Sequence, residues 1–380
     1  MLAVMRRLES LDGVRGLLAV YVLLGHMAPF ADLPNWLQNA VSHGGAAVDV
    51  FFMLSGLVIT QSLQRAGGRA APFLVTRITR IFPVYLAVFA LAVAVAPWSC
   101  GFDRMPWIGP DAVARLICAK TAPQAWLPEI LAHLTMTHGL FPYALWPDVW
   151  VSFLGAAWSL STEWQFYLLA LLVAGRSRRL CLVLLALAIV GAAWRLTVPL
   201  PWQFSRAFLP NKAHFFALGV ASVALADGRP GAAGRYAMML LATLAICATE
   251  RDLAKMLPPL VWTACLAVQI RPDIAGLRGI SALLCSRTAR YLGAISYCVY
   301  LDNEPLHKVS GEVLSRFTAG NAGLFAALWI PLSIGLPLLA AAALHRWLET
   351  PALQWGRALS RRLTLGQRQA MAGQARERGL

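Results

Sequence analysis

Apolar residues along this chain come in long runs, each close to the length that crosses a bilayer. A hydrocarbon core of roughly 30 Å needs about 20 residues of helix. Runs that reach or approach this length occupy residues 11–29, 46–63, 81–97, 156–174, 180–199, 213–227, 236–249, 257–270, 291–309 and 322–345. One further segment, 127–141, is apolar but contains Glu129, His133 and His138, which makes exposure to lipid costly. The pattern predicts an all-α polytopic membrane protein of about ten transmembrane helices, with 127–141 as a re-entrant or surface segment.

Loop charges orient the bundle. With the amino terminus inside and 127–141 not crossing, most of the basic residues fall on one side. These are Arg6 and Arg7, then Arg65, Arg69, Arg77 and Arg80, then Arg176 to Arg179, Arg229 and Arg235, and the basic residues of 271–290 and 346 onward. Basic residues favour the cytoplasmic side. Sending 127–141 across would move Arg176 and everything after it to the other side, and the asymmetry would collapse. Both termini are therefore expected in the cytoplasm. Trp98, Trp107, Trp126, Trp146, Trp150 and Trp158 then cluster at the outer boundary, as in an aromatic belt. Residues 1–360 read as one transmembrane domain without an internal repeat. Residues 361–380 read as a loose basic cytoplasmic tail, near anionic membrane lipid.

Composition narrows the classes. Of 380 residues, 58% are hydrophobic and 13% charged, too apolar for soluble domains or for disorder. The formal net charge of +15 would suggest nucleic acid in a soluble chain. Here the charges lie between apolar runs, so no nucleic-acid partner is expected. The 7 cysteines show no metal-ligand spacing, and no metal is expected. Cys100 and Cys118 share the polar loop 98–126, and an oxidising compartment would let them bridge.

Charges inside spans are functional candidates. Arg15 and His26 are eleven positions apart on the first run. Eleven steps of about 100° return to within about 20° of the start, so both side chains share one face, about 16 Å apart along the axis. Asp12 is close enough to Arg15 to pair with it. The structural alternatives are an arginine snorkelling to lipid phosphate and a histidine capping the helix end. Asp49 opens the second run and Glu163 the fourth, each also where a carboxylate complements the helix dipole. Ser55 and Gly56 would permit close helix approach. Arg77 and Arg80, one turn apart, suit phosphate recognition or serve as a positive-inside flank. Tyr297, Tyr300, Asp302, Asn303 and Glu304 place further polar groups in the ninth run. Carboxylates and a histidine thus gather near one face, arginines near the other. This suits an elongated substrate with anionic groups inside and reacting atoms outside.

These residues resemble the acyltransferase-3 family of integral membrane acyltransferases, over about residues 6–355. The resemblance lies in Leu11-Asp12-Gly13-Val14-Arg15-Gly16 with His26, in Val48 to Gly56, in Arg77 to Tyr85 and in Trp158 to Tyr167. It continues through Leu292-Gly293, Ser296-Tyr297, Tyr300-Leu301 and Pro305, and ends at Glu349-Thr350-Pro351. It implies an enzyme of the bacterial cytoplasmic membrane that moves acyl groups, usually acetyl, from acyl-coenzyme A to sugar hydroxyls. Acceptors would be surface polysaccharide, lipopolysaccharide or a related glycolipid. It implies Arg15 and His26 as the essential pair, and Arg77, Arg80 and Tyr85 as donor-binding residues. On this reading His26 is a general base, with Glu163 or Asp49 holding its imidazole. An acyl-histidine intermediate is the covalent variant. Where many relatives have histidine between Tyr-Leu and Pro, this chain has Asn303. A transporter of a glycan or small anion is the other class compatible with intramembrane charge. It would commonly show repeats and interrupted helices, and the sequence shows neither.

Overall fold

The computed structural model describes residues 8–98, 105–173 and 176–377, with side chains as far as 364. In chain order the helices are α1 (Glu9–Met27), α2 (Asn35–Val41), α3 (Gly44–Arg65), α4 (Ala70–Val95), α5 (Val113–Thr121), α6 (Trp126–Leu134), α7 (Trp158–Leu172) and α8 (Ser177–Thr197). There follow α9 (Leu209–Ala226), α10 (Ala232–Ala248), α11 (Leu257–Ile270), α12 (Ala275–Leu284), α13 (Arg287–Thr318), α14 (Ala322–Leu344) and α15 (Thr350–Glu377). No strand occurs among the described residues; Pro142 and Phe204 form an isolated bridge. The protein is an all-α polytopic membrane protein.

Among the described residues, six helical stretches are long and apolar enough to cross a membrane alone, those containing α1, α3, α4, α8, α11 and the α14–α15 run. The other four expected spans lie in α7, α9, α10 and α13, which are shorter or carry more polar residues. Leu172, Ile189, Val190, Leu241 and Leu339 are exposed, as lipid-facing side chains are. The basic segment expected as a loose tail instead continues α15 as far as Glu377. The start of α15 packs across α4: Ser360 Oγ donates to the Pro72 carbonyl at 3.1 Å.

Segment 127–141 does not cross. The helix α6 has 9 residues, about 14 Å at 1.5 Å per residue. Its polar groups turn toward the protein. Glu129 Oε1 accepts from the backbone N–H of Gln124 and of Ala125, both at 2.8 Å. His133 and His138 are fully buried and stacked, ring centres 4.0 Å apart. Their Nε2 atoms lie 3.0 Å from the Val149 carbonyl and 3.1 Å from the Ala157 carbonyl. Burial holds His133 well below the ordinary histidine range and pushes His138 down to about 4. Both are therefore neutral, and both bond to protein main chain rather than face lipid.

Small residues let helices touch backbone to backbone, the usual device where lipid supplies no hydrophobic drive. A Cβ on Gly16 would lie 2.5 Å from Gly293 N, and one on Gly293 would lie 2.1 Å from Asp12 O. This joins α1 to α13. In the same way a Cβ on Gly56 would meet Phe216 O at 2.4 Å, and one on Gly219 would meet Met53 O at 2.0 Å. This joins α3 to α9.

Two outcomes are expected. Gly219→Leu drives a side chain into backbone, where overpacking costs about 1–3 kcal/mol or more, and should abolish recovery of monodisperse protein in detergent. Gly335→Leu, with open space around its Cβ, should leave recovery unchanged. Acidification supplies the second test. Between pH about 6.5 and about 4 the unfolded histidines bind protons that the folded pair refuses. Stability then falls as pH falls, by up to about 1.4 kcal/mol per unit per histidine. Thermal unfolding in detergent should show this loss, and His138→Gln should make it shallower.

Candidate active site

The first turns of α1 and the body of α13 position the arginine end. Arg15 Nη2 donates to Gly293 O at 2.7 Å, and Nε to Ser296 Oγ at 3.0 Å. The expected partner Asp12 lies 3.3 Å from Nη2. A cavity of about 160 Å³ opens beside it, lined by Arg15, Arg77, Arg80, Glu163, Tyr167 and Tyr297, among others. Arg77 lies over the Phe73 ring at 5.9 Å, and its buried Nε has no hydrogen-bond partner. Arg80 is engaged differently. It forms an ion pair with the fully buried Glu349 and lies 5.5 Å from the Tyr297 ring centre. Glu349 closes a π-helical turn, His345–Glu349, and also lies 2.6 Å from His345 Nδ1. The Glu349-Thr350-Pro351 motif thus fixes an arginine of the cavity.

His26 lies at the other end of α1, half-buried, in a second cavity of about 270 Å³ shared with Trp150, Trp158, Arg206, Glu304 and Lys308. Its Nδ1 is 2.6 Å from Asn303 Oδ1. Asn303 is fully buried, and its Nδ2 donates to Val299 O at 2.6 Å and to Tyr300 O at 2.9 Å. Those two carbonyls fix which end of the amide faces histidine. The oxygen facing His26 can only accept, so Nδ1 carries the hydrogen and Nε2 keeps its lone pair when the ring is neutral. The turn Gly155–Ala157 borders the His26 cavity at Gly155 and is bonded to Tyr300, which lines the arginine cavity. Tyr300 Oη is 2.8 Å from Ser159 Oγ and 3.0 Å from Ala156 O, while Ala156 N–H donates to Glu304 Oε2 at 3.1 Å.

The carboxylates expected to hold His26 do not reach it. Glu163 lies in the arginine cavity, where it accepts from Ser55 Oγ and, at 2.7 Å, from Tyr167 Oη. The reason is depth: α7 begins already buried at Trp158, so Glu163 sits about 8 Å further along the bundle. Asp49 is committed to Lys212, 2.7 Å away and almost fully buried with it. Tyr85 is likewise absent from the arginine cavity. It is buried against α6 and donates to the His133 carbonyl at 3.0 Å. The structure thus gathers Arg15, Arg77, Arg80 and Glu163 at one site, His26 with Asn303 at a second, and Asp49 with Lys212 apart from both.

Residues 8–346 match the family described as an acyltransferase domain. The chain belongs to the acyltransferase-3 family. An acyltransferase named MdmB from Streptomyces mycarofaciens is 32% identical over 167 residues, covering 43% of this chain and 38% of that protein. An O-acetyl transferase of Shigella phage Sf6 is 28% identical over 131 residues, covering 34% of this chain and 39% of that protein. The match therefore spans about two-fifths of either relative. No solved structure matches the chain. In this chain Asn303 is the residue hydrogen-bonded to His26.

Asn303 should therefore act on acyl transfer through His26. Asn303→Leu is expected to lower kcat at least about tenfold, the worth of one hydrogen bond to a charged group. Asn303→Asp keeps an acceptor and adds a charge, which should move the acid limb of the pH–rate profile upward by about one unit. A profile unchanged in both variants would assign Asn303 to packing alone.

Proposed function

We propose that the protein is a membrane O-acyltransferase. It moves an acyl group, acetyl by default, from acyl-coenzyme A to a hydroxyl of a surface or lipid-linked carbohydrate. The observation that carries this reading is the pairing of His26 with Asn303, which leaves Nε2 available as a base in a cavity about 16 Å along α1 from Arg15. In this reading the arginine end faces the cytoplasm and the histidine end faces away from it, across a bacterial cytoplasmic membrane.

The donor's phosphates bind at the arginine cavity. Arg77 suits them best, since its buried Nε lacks a partner and guanidinium matches phosphate in shape and charge. Arg15 keeps part of its fork for the ligand, and Arg80, held by Glu349, contributes mainly its field. The thioester arm extends toward Tyr300 and His26. There Nε2 takes the proton of the acceptor hydroxyl as its oxygen attacks the thioester carbonyl. The C–S bond then breaks, and the imidazolium returns its proton to the departing thiolate. Asn303 holds the ring throughout and accepts from Nδ1–H in both charge states.

Removing the base should lower the rate by the usual worth of general acid–base catalysis, about 10²–10⁴-fold. His26→Ala is therefore expected to insert normally yet lose coenzyme A release in the presence of acceptor. A near-normal rate would overturn the general-base role. Arg77→Ala should raise the KM for acyl-coenzyme A about tenfold, one charged hydrogen bond, with the acceptor KM unchanged. Quenching with acid before acceptor is added would reveal any acyl-histidine.

A further inference from the structure

A third cavity, of about 490 Å³, opens at the histidine end and has no part in the scheme above. Its wall is built from the ends of several helices. The start of α3 gives Gly45 and Asp49, the start of α9 gives Asn211 and Lys212, and the end of α8 gives Arg195. Trp158 and Arg206 line this cavity and also the His26 cavity. The two spaces therefore meet at those side chains.

The chemistry of the wall is specific. Gln203, whose Nε2 is bonded to the Arg195 and Val198 carbonyls, keeps its amide oxygen for a ligand beside the aromatic faces of Tyr143 and Trp158, a combination that suits sugar hydroxyls and a sugar's apolar face. Charge adds a second requirement. Arg195, Arg206, Lys212 and Lys255 face two carboxylates, Asp49 and Glu250. Asp49 is taken by Lys212 at 2.7 Å, and Glu250 lies 3.5 Å from Arg195. Arg195 Nη1 donates to Asn211 Oδ1 at 3.0 Å, while its buried Nη2 has the long ion pair to Glu250 but no hydrogen bond. Arg206 has no carboxylate partner among the described residues. Its guanidinium lies over two indoles, 5.1 Å from the Trp150 ring centre and 5.4 Å from that of Trp158. Stacking of this kind fixes the plane of the guanidinium while leaving its N–H groups free.

We infer that this cavity is the acceptor site and that the acceptor is a sugar carrying an anionic group, phosphate or carboxylate, which Arg206 and Arg195 bind while an adjacent hydroxyl reaches His26. The inference rests on the proposed acyl transfer for its direction only. Binding at the cavity is measurable without any transfer. Phosphate and carboxylate share the same recognition here, a delocalised anion met by planar guanidinium donors.

The test uses Gly45→Cys in the full chain. A Cβ at Gly45 would meet only Arg206 Nη1, at 3.8 Å, so the new thiol sits in the cavity without a clash. Its labelling by a membrane-impermeant maleimide is followed in intact cells, with the unsubstituted protein as background. Glucose 1-phosphate and glucuronate should each protect the thiol at concentrations about tenfold lower than glucose, the worth of one charged hydrogen bond. Whichever anion protects better identifies the charged group. In G45C combined with R206Q the advantage over glucose should disappear, and in G45C combined with R206K it should return in part. The Lys variant also shows that the site still folds. Equal protection by all three sugars, or equal protection by inorganic phosphate alone, would overturn the assignment. A charged-sugar preference that survives R206Q would overturn the role of Arg206. If protection follows the expected order while His26→Ala still transfers acyl groups, the site stands and the general-base reading falls.

Discussion

Two helices distant in sequence, α1 and α13, touch backbone to backbone at Gly16 and Gly293, and the register of that contact decides where the polar groups go. Arg15 meets Gly293 and Ser296, and His26 meets Asn303. Both pairs advance in the same chain direction, so the helices run in parallel. A shift by one residue would rotate either helix by about 100° and separate both pairs together. A Cβ at the crossing would force the axes apart, because the listener on the other side is a main chain that cannot rotate away. Short residues at one point thus determine the geometry of two polar sites about 16 Å apart.

The same logic explains why so much charge is tolerated among apolar helices. Nearly every charged group there has a fixed partner: Asp49 with Lys212, Arg80 with Glu349, Glu304 with Lys308 at 3.1 Å. Desolvating a lone ion is far costlier than desolvating a pair with its hydrogen bonds made. The groups left incomplete stand out against this background. Among the described residues, Arg77 Nε lacks a partner beside one cavity, and both carboxyl oxygens of the buried Asp302 lack one within α13. Such groups are costly to keep unless a ligand completes them.

Most of the fold is legible in the sequence because it follows from lengths of apolar runs and the side on which arginines fall. Segment 127–141 is legible for the same reason: Glu129, His133 and His138 are too polar for lipid, and all three are buried against protein. The stripe of Arg15 and His26 follows from helical spacing alone. The partners of these residues do not. Glu163 and Asp49 seemed level with His26 when depth was counted from the start of each apolar run. In the fold α7 starts well inside the bundle, and Lys212, just before the run 213–227, captures Asp49. Asn303 was visible as an unusual polar residue in an apolar run, but only the packing of α13 on α1 places it at the imidazole. Lys308 follows Glu304 by four positions, a spacing that does signal an ion pair. Glu349 and Arg80 are far apart in sequence, and nothing local announces their contact.

Tyr300 and Ser159 line the arginine cavity, and their bonds to each other and to the Ala156 carbonyl tie that wall to the turn that borders the His26 cavity at Gly155. In a membrane protein, two cavities along one helix invite a file of water between them, and protons would run down any such file. Hydroxyls that satisfy one another and a main-chain carbonyl in this way bind water poorly, which favours insulation where the two cavities approach. Energy transduction across the surrounding membrane depends on that insulation, whatever passes through the protein itself.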